Sequence, residues 1–125
     1  MSAPLAILMW SADLTQPQRL ATPFVMAQAA VALDMPVELY FTAQSVQLLT
    51  PQAGEMRIGF GDEQRALREY LQDVHDLGVQ LFACAQALHA ARLQRQDLIA
   101  QCAGLGGAVQ FMSRCADPQW RTLVF

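Results

Sequence analysis

Residues 79–92 read VQLFACAQALHAAR, and they pass from a short apolar strand directly into a helical segment, with Cys84 at the junction. A thiol at the start of a helix meets unpaired backbone N–H groups and the positive end of the helix dipole, and both favour the thiolate over the thiol. The thiolate is the reactive form of sulfur at neutral pH. The stretch therefore predicts a nucleophilic cysteine where the strand ends.

Four other apolar segments have the length of buried strands, and helical segments separate them. They are residues 4–10 (PLAILMW), 37–41 (VELYF), the region around 98–105, and 121–125 (RTLVF). Alternation of strands with helices predicts a parallel sheet flanked by helices, with right-handed crossovers. The predicted fold is a single-domain α/β protein over 1–125, a three-layer α/β/α arrangement with a mainly parallel five-stranded sheet.

The helices are predicted from apolar spacing and from their terminal residues. Residues 24–33 are apolar nearly all round, so this helix should be covered on two sides, by the sheet and by a second subunit. Asp62 is the expected N-cap of a helix whose apolar stripe runs through residues 66–77. Shorter helices are expected at residues 43–49 and 106–115.

Ligands of such folds bind beyond the carboxyl ends of the strands, so the residues that follow the strands are the site candidates. Cys84 is the expected catalytic residue, and Thr42 lies on the same edge. The expected substrate-binding residues are Trp10, Ser11, Gln86, Gly104 and Gly106.

Composition narrows the class of protein. Of the 125 residues, 54% are apolar and only 15% are charged, against roughly 25% charged in typical globular domains. This shortfall of polar surface predicts a homo-oligomer. No apolar run approaches the roughly 18 residues of a membrane span, so no membrane insertion is expected. The first ten residues contain no basic residue, so no signal peptide is expected either. We therefore expect a cytoplasmic location. A net charge of −3 argues against nucleic-acid binding.

The three cysteines, Cys84, Cys102 and Cys115, have no CxxC spacing and form an odd set, which predicts free thiols. The two histidines add no metal-ligand spacing, so no metal is expected. Residues 104–109 (GLGGAV) begin like a dinucleotide fingerprint, but Val109 occupies the third glycine position. A tight turn is the better interpretation, and no cofactor is expected.

The order and spacing of these segments resemble the DsrE/DsrF-like family, which includes TusD-like sulfur-relay proteins. The resemblance covers essentially the whole chain: the opening apolar strand, the Ala-rich first helix, VELYF, the strand that ends in Cys84 with Arg92 behind it, GLGGAVQFMSRCAD at 104–117, and a closing strand that ends in Phe125. It implies a flavodoxin-like subunit assembled into trimers or hexamers, with a persulfide carried on Cys84. One departure is that Leu93 follows Arg92, where TusD-like chains have glycine.

Three functions are open at this point. The first is a sulfur-relay protein, a sulfurtransferase that takes sulfane sulfur on Cys84 from a donor protein and passes it to an acceptor thiol. The second is a non-catalytic oligomeric binding or assembly protein, with a small-ligand or partner pocket at the strand C-terminal edge under the irregular stretch 50–62. The third is a thiol redox sensor that pairs Cys84 with Cys102 or Cys115.

Overall fold

The computed structural model describes residues 2–125. Within them the chain forms seven strands and four α-helices. The strands are β1 (Leu5–Met9), β2 (Val37–Phe41), β3 (Arg57–Ile58), β4 (Arg65–Ala66), β5 (Gln80–Ala83), β6 (Cys102–Leu105) and β7 (Arg121–Val124). The helices are α1 (Thr22–Ala32), α2 (Leu67–Asp76), α3 (Ala85–Ala90) and α4 (Ala108–Ala116).

Five strands pair in parallel in the order β6-β5-β2-β1-β7, while β3 and β4 form a separate antiparallel pair. The predicted α/β fold with a mainly parallel five-stranded sheet is confirmed. Numbered along the chain, the strands of this sheet run 4-3-2-1-5, whereas flavodoxin has the order 2-1-3-4-5. The protein shares the layered architecture of flavodoxin but has its own strand order.

The two faces of the sheet are covered unequally. Side chains alternate along a strand, so Ile7 contributes to the core beneath α1, α2 and α3, whereas Ala6 and Leu8 belong to the opposite face. On that opposite face α4 packs through Phe111 against Ala6 and Tyr40. The order of the strands explains this, because only the last connection, from β6 to β7, returns past β1 and crosses the other face.

One helix prediction is wrong, and the structure makes two others more specific. The sheet covers one side of α1, while Val25 and Met26 are exposed in this chain, so coverage of that side by a second subunit stays a prediction. The helix expected at residues 43–49 is a 3-10 helix, Ala43–Leu49. Asp62 is not the N-cap of α2, because a 3-10 turn and β4 intervene and Ala66 occupies that position.

The irregular stretch 50–62, expected to cover the site, instead packs into the main core. Ile58 is fully buried there. The N–H of Gly59 donates to the carbonyl of Pro17, and the carbonyl of Met56 accepts from the N–H of Leu67. These bonds fasten the stretch to the 3-10 turn Pro17–Arg19, which precedes α1, and to the beginning of α2.

A buried ion pair joins β2 to α4. The Arg114 guanidinium donates two hydrogen bonds to the Glu38 carboxylate, at 2.9 and 3.0 Å. The Tyr40 hydroxyl donates to the same carboxylate at 2.6 Å and accepts from the Gln110 amide at 3.0 Å. Because Glu38 is only 7% exposed, each of these partners replaces water that the carboxylate has lost.

Replacing Arg114 by methionine tests this ion pair. We expect Arg114→Met to lower the free energy of unfolding by about 2 kcal/mol, less than the 3–5 kcal/mol of a fully buried pair because Arg114 is partly exposed. Urea denaturation followed by circular dichroism measures the change. Arg68→Met is the matched control, because it breaks an exposed ion pair with Glu55 and should cost under about 1 kcal/mol. Equal losses in the two variants would contradict the assigned role.

Candidate functional site

Cys84 lies where β5 ends and α3 begins, and it is the N-cap residue of α3. Its N–H donates to the carbonyl of Phe41 at the end of β2, at 2.9 Å, and its carbonyl accepts from the N–H of Leu88 at 3.0 Å. The backbone of the cysteine is therefore held both by the neighbouring strand and by the helix. This fixes its side chain at the carboxyl edge of the sheet, where it is partly buried.

A cavity of about 280 Å³ opens beside the thiol. The strand ends supply Leu8, Tyr40 and Thr42 to its wall, and α4 supplies Phe111 and Met112. These α4 side chains lie on the less covered face of the sheet. Because a single helix covers this face of the sheet, space for the cavity remains beside it.

Gly106 lets the turn before α4 pack closely on β5. A Cβ at Gly106 would lie 2.9 Å from the Cβ of Phe82, closer than real side chains come. A Cβ at Gly107 would lie 3.8 Å from the Sγ of Cys84, an ordinary contact distance, so this position is next to the thiol without requiring glycine. The close packing at Gly106 agrees with the interpretation of this stretch as a tight turn.

The surroundings of Cys84 favour its ionised form. Burial raises the pKa of the thiol, but hydrogen bonding from the Thr42 side chain and from the backbone N–H groups of Ala87 and Gln86 outweighs burial and leaves the pKa below its ordinary value. The thiol makes no full capping hydrogen bond to α3. Because α3 has only 6 residues, these local donors matter more than a long helix dipole.

The beginning of α4 adds further donors at the same cavity. Gly107 is its N-cap and has no side chain to satisfy the first N–H groups, and the first turn contains no acidic residue. Gly107 and Ala108 both line the cavity. Unsatisfied N–H groups at a helix start are suited to an anion, and the start of α4 lies in the wall of the cavity that contains the Cys84 thiol.

The structure brings together only part of the predicted site. Cys84, Gln86 and Gly106 line the cavity described above. Ser11 lines a different cavity, of about 340 Å³, together with Arg19 and Pro23 beside the start of α1.

Trp10 and Gly104 line neither of these two cavities. Gly104 pairs with Phe82 inside the sheet, because β6 continues to Leu105 before it turns. The rule that ligands bind at the carboxyl edge identifies the edge but not the face, and Ser11 borders the α1 face.

Tyr40, Phe111 and Met112 are site residues that the sequence interpretation did not include. Phe111 and Met112 sit one turn into α4, after the glycines, and Tyr40 precedes Thr42 by two positions on β2. Period-two alternation places Tyr40 on the face opposite Leu39. That pattern would have identified Tyr40 if the face covered by α4 had been known.

Neither of the other cysteines is close enough to pair with Cys84. Cys102 pairs with Leu81, three residues before Cys84, which is about 10 Å along the strand. Cys115 lies near the far end of α4, about 12 Å along the helix from Gly107. A disulfide needs Cα atoms within about 7 Å, so this arrangement does not support the predicted redox pairing of Cys84 with Cys102 or Cys115.

Two findings concern metals and membranes. Among residues 2–125, no group of three or more His, Cys, Asp and Glu side chains could hold a metal ion. In the same part of the chain, none of the helices has both the length and the apolar character needed to cross a membrane.

Comparison with known proteins identifies the family. The model of the DsrE/DsrF-like family matches residues 6–125. Among solved structures, the chain is similar to MTH1491 from Methanobacterium thermoautotrophicum, a protein of unknown function, with a TM-score of 0.75 and 14% identity over 99% of this chain and 100% of that one. It is also similar to the YchN protein from E. coli, with a TM-score of 0.66 and 15% identity over 100% of both chains. No match was found among curated proteins.

The lowered pKa of Cys84 can be measured through its reactivity. In a Cys115→Ser background, the alkylation rate with iodoacetamide should rise with pH at a lower midpoint in the folded protein than in the same protein unfolded in urea, because only the thiolate reacts. Thr42→Val should move the midpoint upward, since it removes a hydroxyl that favours the thiolate. Thr42→Ser keeps the hydroxyl and serves as the control. A midpoint that is the same in all three proteins would contradict the role of Thr42.

Proposed function

Because the chain belongs to the DsrE/DsrF-like family, we propose that it is a sulfur-relay protein that carries sulfane sulfur as a persulfide on Cys84. The observation that carries the proposal is the thiol itself, which is partly buried beside a cavity and has a lowered pKa. A relay needs a cysteine whose surroundings lower the pKa of its thiol, that another sulfur can reach and that is shielded from bulk water. Cys84 combines these three properties.

The chemistry needs one cysteine and no cofactor. The Cys84 thiolate attacks the terminal sulfur of a donor persulfide, R–S–SH, and a new S–S bond forms on Cys84 as the donor S–S bond breaks. The donor sulfur leaves as the thiolate with the electron pair of the broken bond, and the proton of the persulfide passes to solvent. In the second step an acceptor thiolate attacks the outer sulfur of the Cys84 persulfide. The S–S bond on Cys84 breaks, and Cys84 leaves as the thiolate, so the protein undergoes no net oxidation.

The surroundings of Cys84 suit the persulfide anion as well as the thiolate. The N–H groups of Gln86 and Ala87 act on the inner sulfur, and the uncapped start of α4 borders the space that an outer sulfur would occupy. With three free thiols and no disulfide among the described residues, the relay fits a reducing compartment, and we place it in the cytoplasm. Its partners are a donor and an acceptor protein.

A second candidate function uses the same cavity without the chemistry. The wall formed by Leu8, Phe111 and Met112 is mainly apolar, which suits a small ligand or a partner side chain. In such a binding or assembly protein Cys84 is incidental, and Cys84→Ser leaves binding unchanged.

Mass spectrometry of the intact protein separates the two candidates. Incubation with a persulfide donor should add about 32 Da per sulfur to the wild-type protein, and the addition should disappear in Cys84→Ser. Loss of the label when an acceptor thiol is added would show the second half of the relay.

Cys115→Ser is the control, because Cys115 is the most exposed of the three thiols. It should retain the sulfur on Cys84 and lose only label bound at its own position. Equal labelling of the wild type and Cys84→Ser would exclude the relay at this residue.

We also propose that the chain assembles as a homo-oligomer, a trimer or a hexamer, through the exposed side of α1. This helix contains no charged residue. Val25 and Met26 are 38% and 43% exposed, and Leu33 just beyond its end is 67% exposed. Val25, Met26 and Leu33 lie on one side of the helix by their spacing, so a second copy would bury an apolar surface that this chain leaves open.

A charge on this surface should break the assembly. Met26→Glu should shift the mass measured by size-exclusion chromatography with light scattering from an oligomer to a single chain, because a buried glutamate without a partner opposes association. Phe60→Glu, which changes an exposed apolar side chain that is not part of α1, should leave the mass unchanged. A monomeric wild-type protein would overturn the proposal.

A further inference from the structure

The cavity beside Cys84 contains no charged side chain among the described residues that line it. Burial and a hydrogen bond to Glu38 raise the pKa of Tyr40 to about 12, so its hydroxyl is neutral at pH 7. Glu38 itself is bonded to Arg114 through both of its carboxylate oxygens. Among residues 2–125, therefore, the lining of this cavity offers a ligand no free cation or anion apart from the sulfur of Cys84.

The exposed surface of α4 next to the cavity is also apolar. Met112 lines the cavity and is 58% exposed, and Val109, one turn earlier on α4, is 87% exposed. Residues three apart on a helix are neighbours on its surface. Leu105, just before the glycine turn, is exposed as well. A molecule that approaches Cys84 past α4 crosses these apolar side chains.

We propose that this cavity selects its sulfur partner by an apolar side chain next to the reacting cysteine. The partner is a protein segment that presents a cysteine, or its persulfide, beside a residue such as leucine. Small anionic sulfur carriers, such as inorganic polysulfide and glutathione persulfide, are disfavoured. This inference rests on the proposed function and names the substrate class of the same site.

The physical reason is desolvation. A carboxylate or a polysulfide dianion that enters the cavity loses water and meets no cation in exchange, which is costly. The transfer of a leucine side chain from water into the cavity lowers the free energy, because Leu8, Phe111 and Met112 would surround it there. The backbone donors near Cys84 can accommodate the single charge of the reacting sulfur, but no second charge has a partner there.

The size of the cavity agrees with this occupant. Its volume of about 280 Å³ is at the lower end of the range of roughly 300–1,000 Å³ that is common for small-molecule sites. It has room for the reacting sulfur and one neighbouring side chain. The rest of a partner segment would lie outside, over Val109 and Met112.

Three blocked tripeptide persulfides test the selectivity: Leu-Cys-Leu, Ser-Cys-Ser and Glu-Cys-Glu, with sodium tetrasulfide and glutathione persulfide as small anionic donors. The measured quantity is the second-order rate of sulfur addition to Cys84, followed by intact-mass spectrometry. We expect the leucine peptide to react at least about tenfold faster than the serine peptide, the gain that burial of one leucine side chain would provide. The glutamate peptide and the two anionic donors should be slower still.

Val109→Glu places a charge on the surface of α4 next to the cavity, one turn before Met112. It removes no buried side chain, since Val109 is 87% exposed. It should bring the rate with the leucine peptide close to that with the serine peptide. Gln119→Glu adds the same charge before β7, at the opposite end of the sheet, and should leave the ratio unchanged. Rates are compared with those of iodoacetamide, so that a change in thiolate content is not mistaken for a change in selectivity.

The possible outcomes distinguish this inference from the proposed function. Equal rates for the three peptides, or faster reaction with tetrasulfide or glutathione persulfide, would overturn the selectivity and leave Cys84 as a sulfur carrier. A lack of sulfur addition to Cys84 from every donor would overturn both.

Discussion

The Cys84 site depends on how α4 is fastened to the sheet. This helix packs on the face opposite α1 and α2, and it forms one wall of the cavity. The ion pair between Glu38 and Arg114 connects it to β2 in the middle of the sheet, and the bond from Gln110 to Tyr40 adds a second connection one turn earlier. If α4 moved away, the cavity would lose its wall and the thiol would lose the shelter of the glycine turn.

The reactivity of Cys84 follows from a balance between burial and hydrogen bonding. Full burial would favour the neutral thiol, and full exposure would leave its pKa near that of free cysteine. The Thr42 side chain and the N–H groups of Ala87 and Gln86 together outweigh the burial. The strand-to-helix junction provides these donors because the first N–H groups of a helix have no carbonyl partner within the helix.

The sequence predicts the strands well and the faces of the sheet poorly. β2 coincides with the predicted segment Val37–Phe41, because four of its five residues are apolar and it lies directly after Pro36. The Glu38–Arg114 pair joins residues 76 positions apart, and no local pattern can reveal such a contact. The N-cap prediction at Asp62 is wrong because Glu69 accepts a hydrogen bond from the N–H of Ala66 and helps to start the helix later. Ser11 lies at the predicted edge but borders the other face, since alternation along β1 cannot say which face α4 will cover.

The distances among the three cysteines constrain what a persulfide on Cys84 could do. A redox sensor that pairs two of its own cysteines releases its oxidised sulfur by the attack of a resolving thiol within the same chain. Cys102 is buried in the edge strand β6, where its thiol donates to the carbonyl of Gly104. Cys115 lies near the C-terminal end of α4, away from the cavity. Neither can reach Cys84 without unfolding a strand or a helix. Sulfur loaded on Cys84 would therefore stay there until a thiol from another molecule entered the cavity, so the fold that shelters the thiol also determines which partners can discharge it.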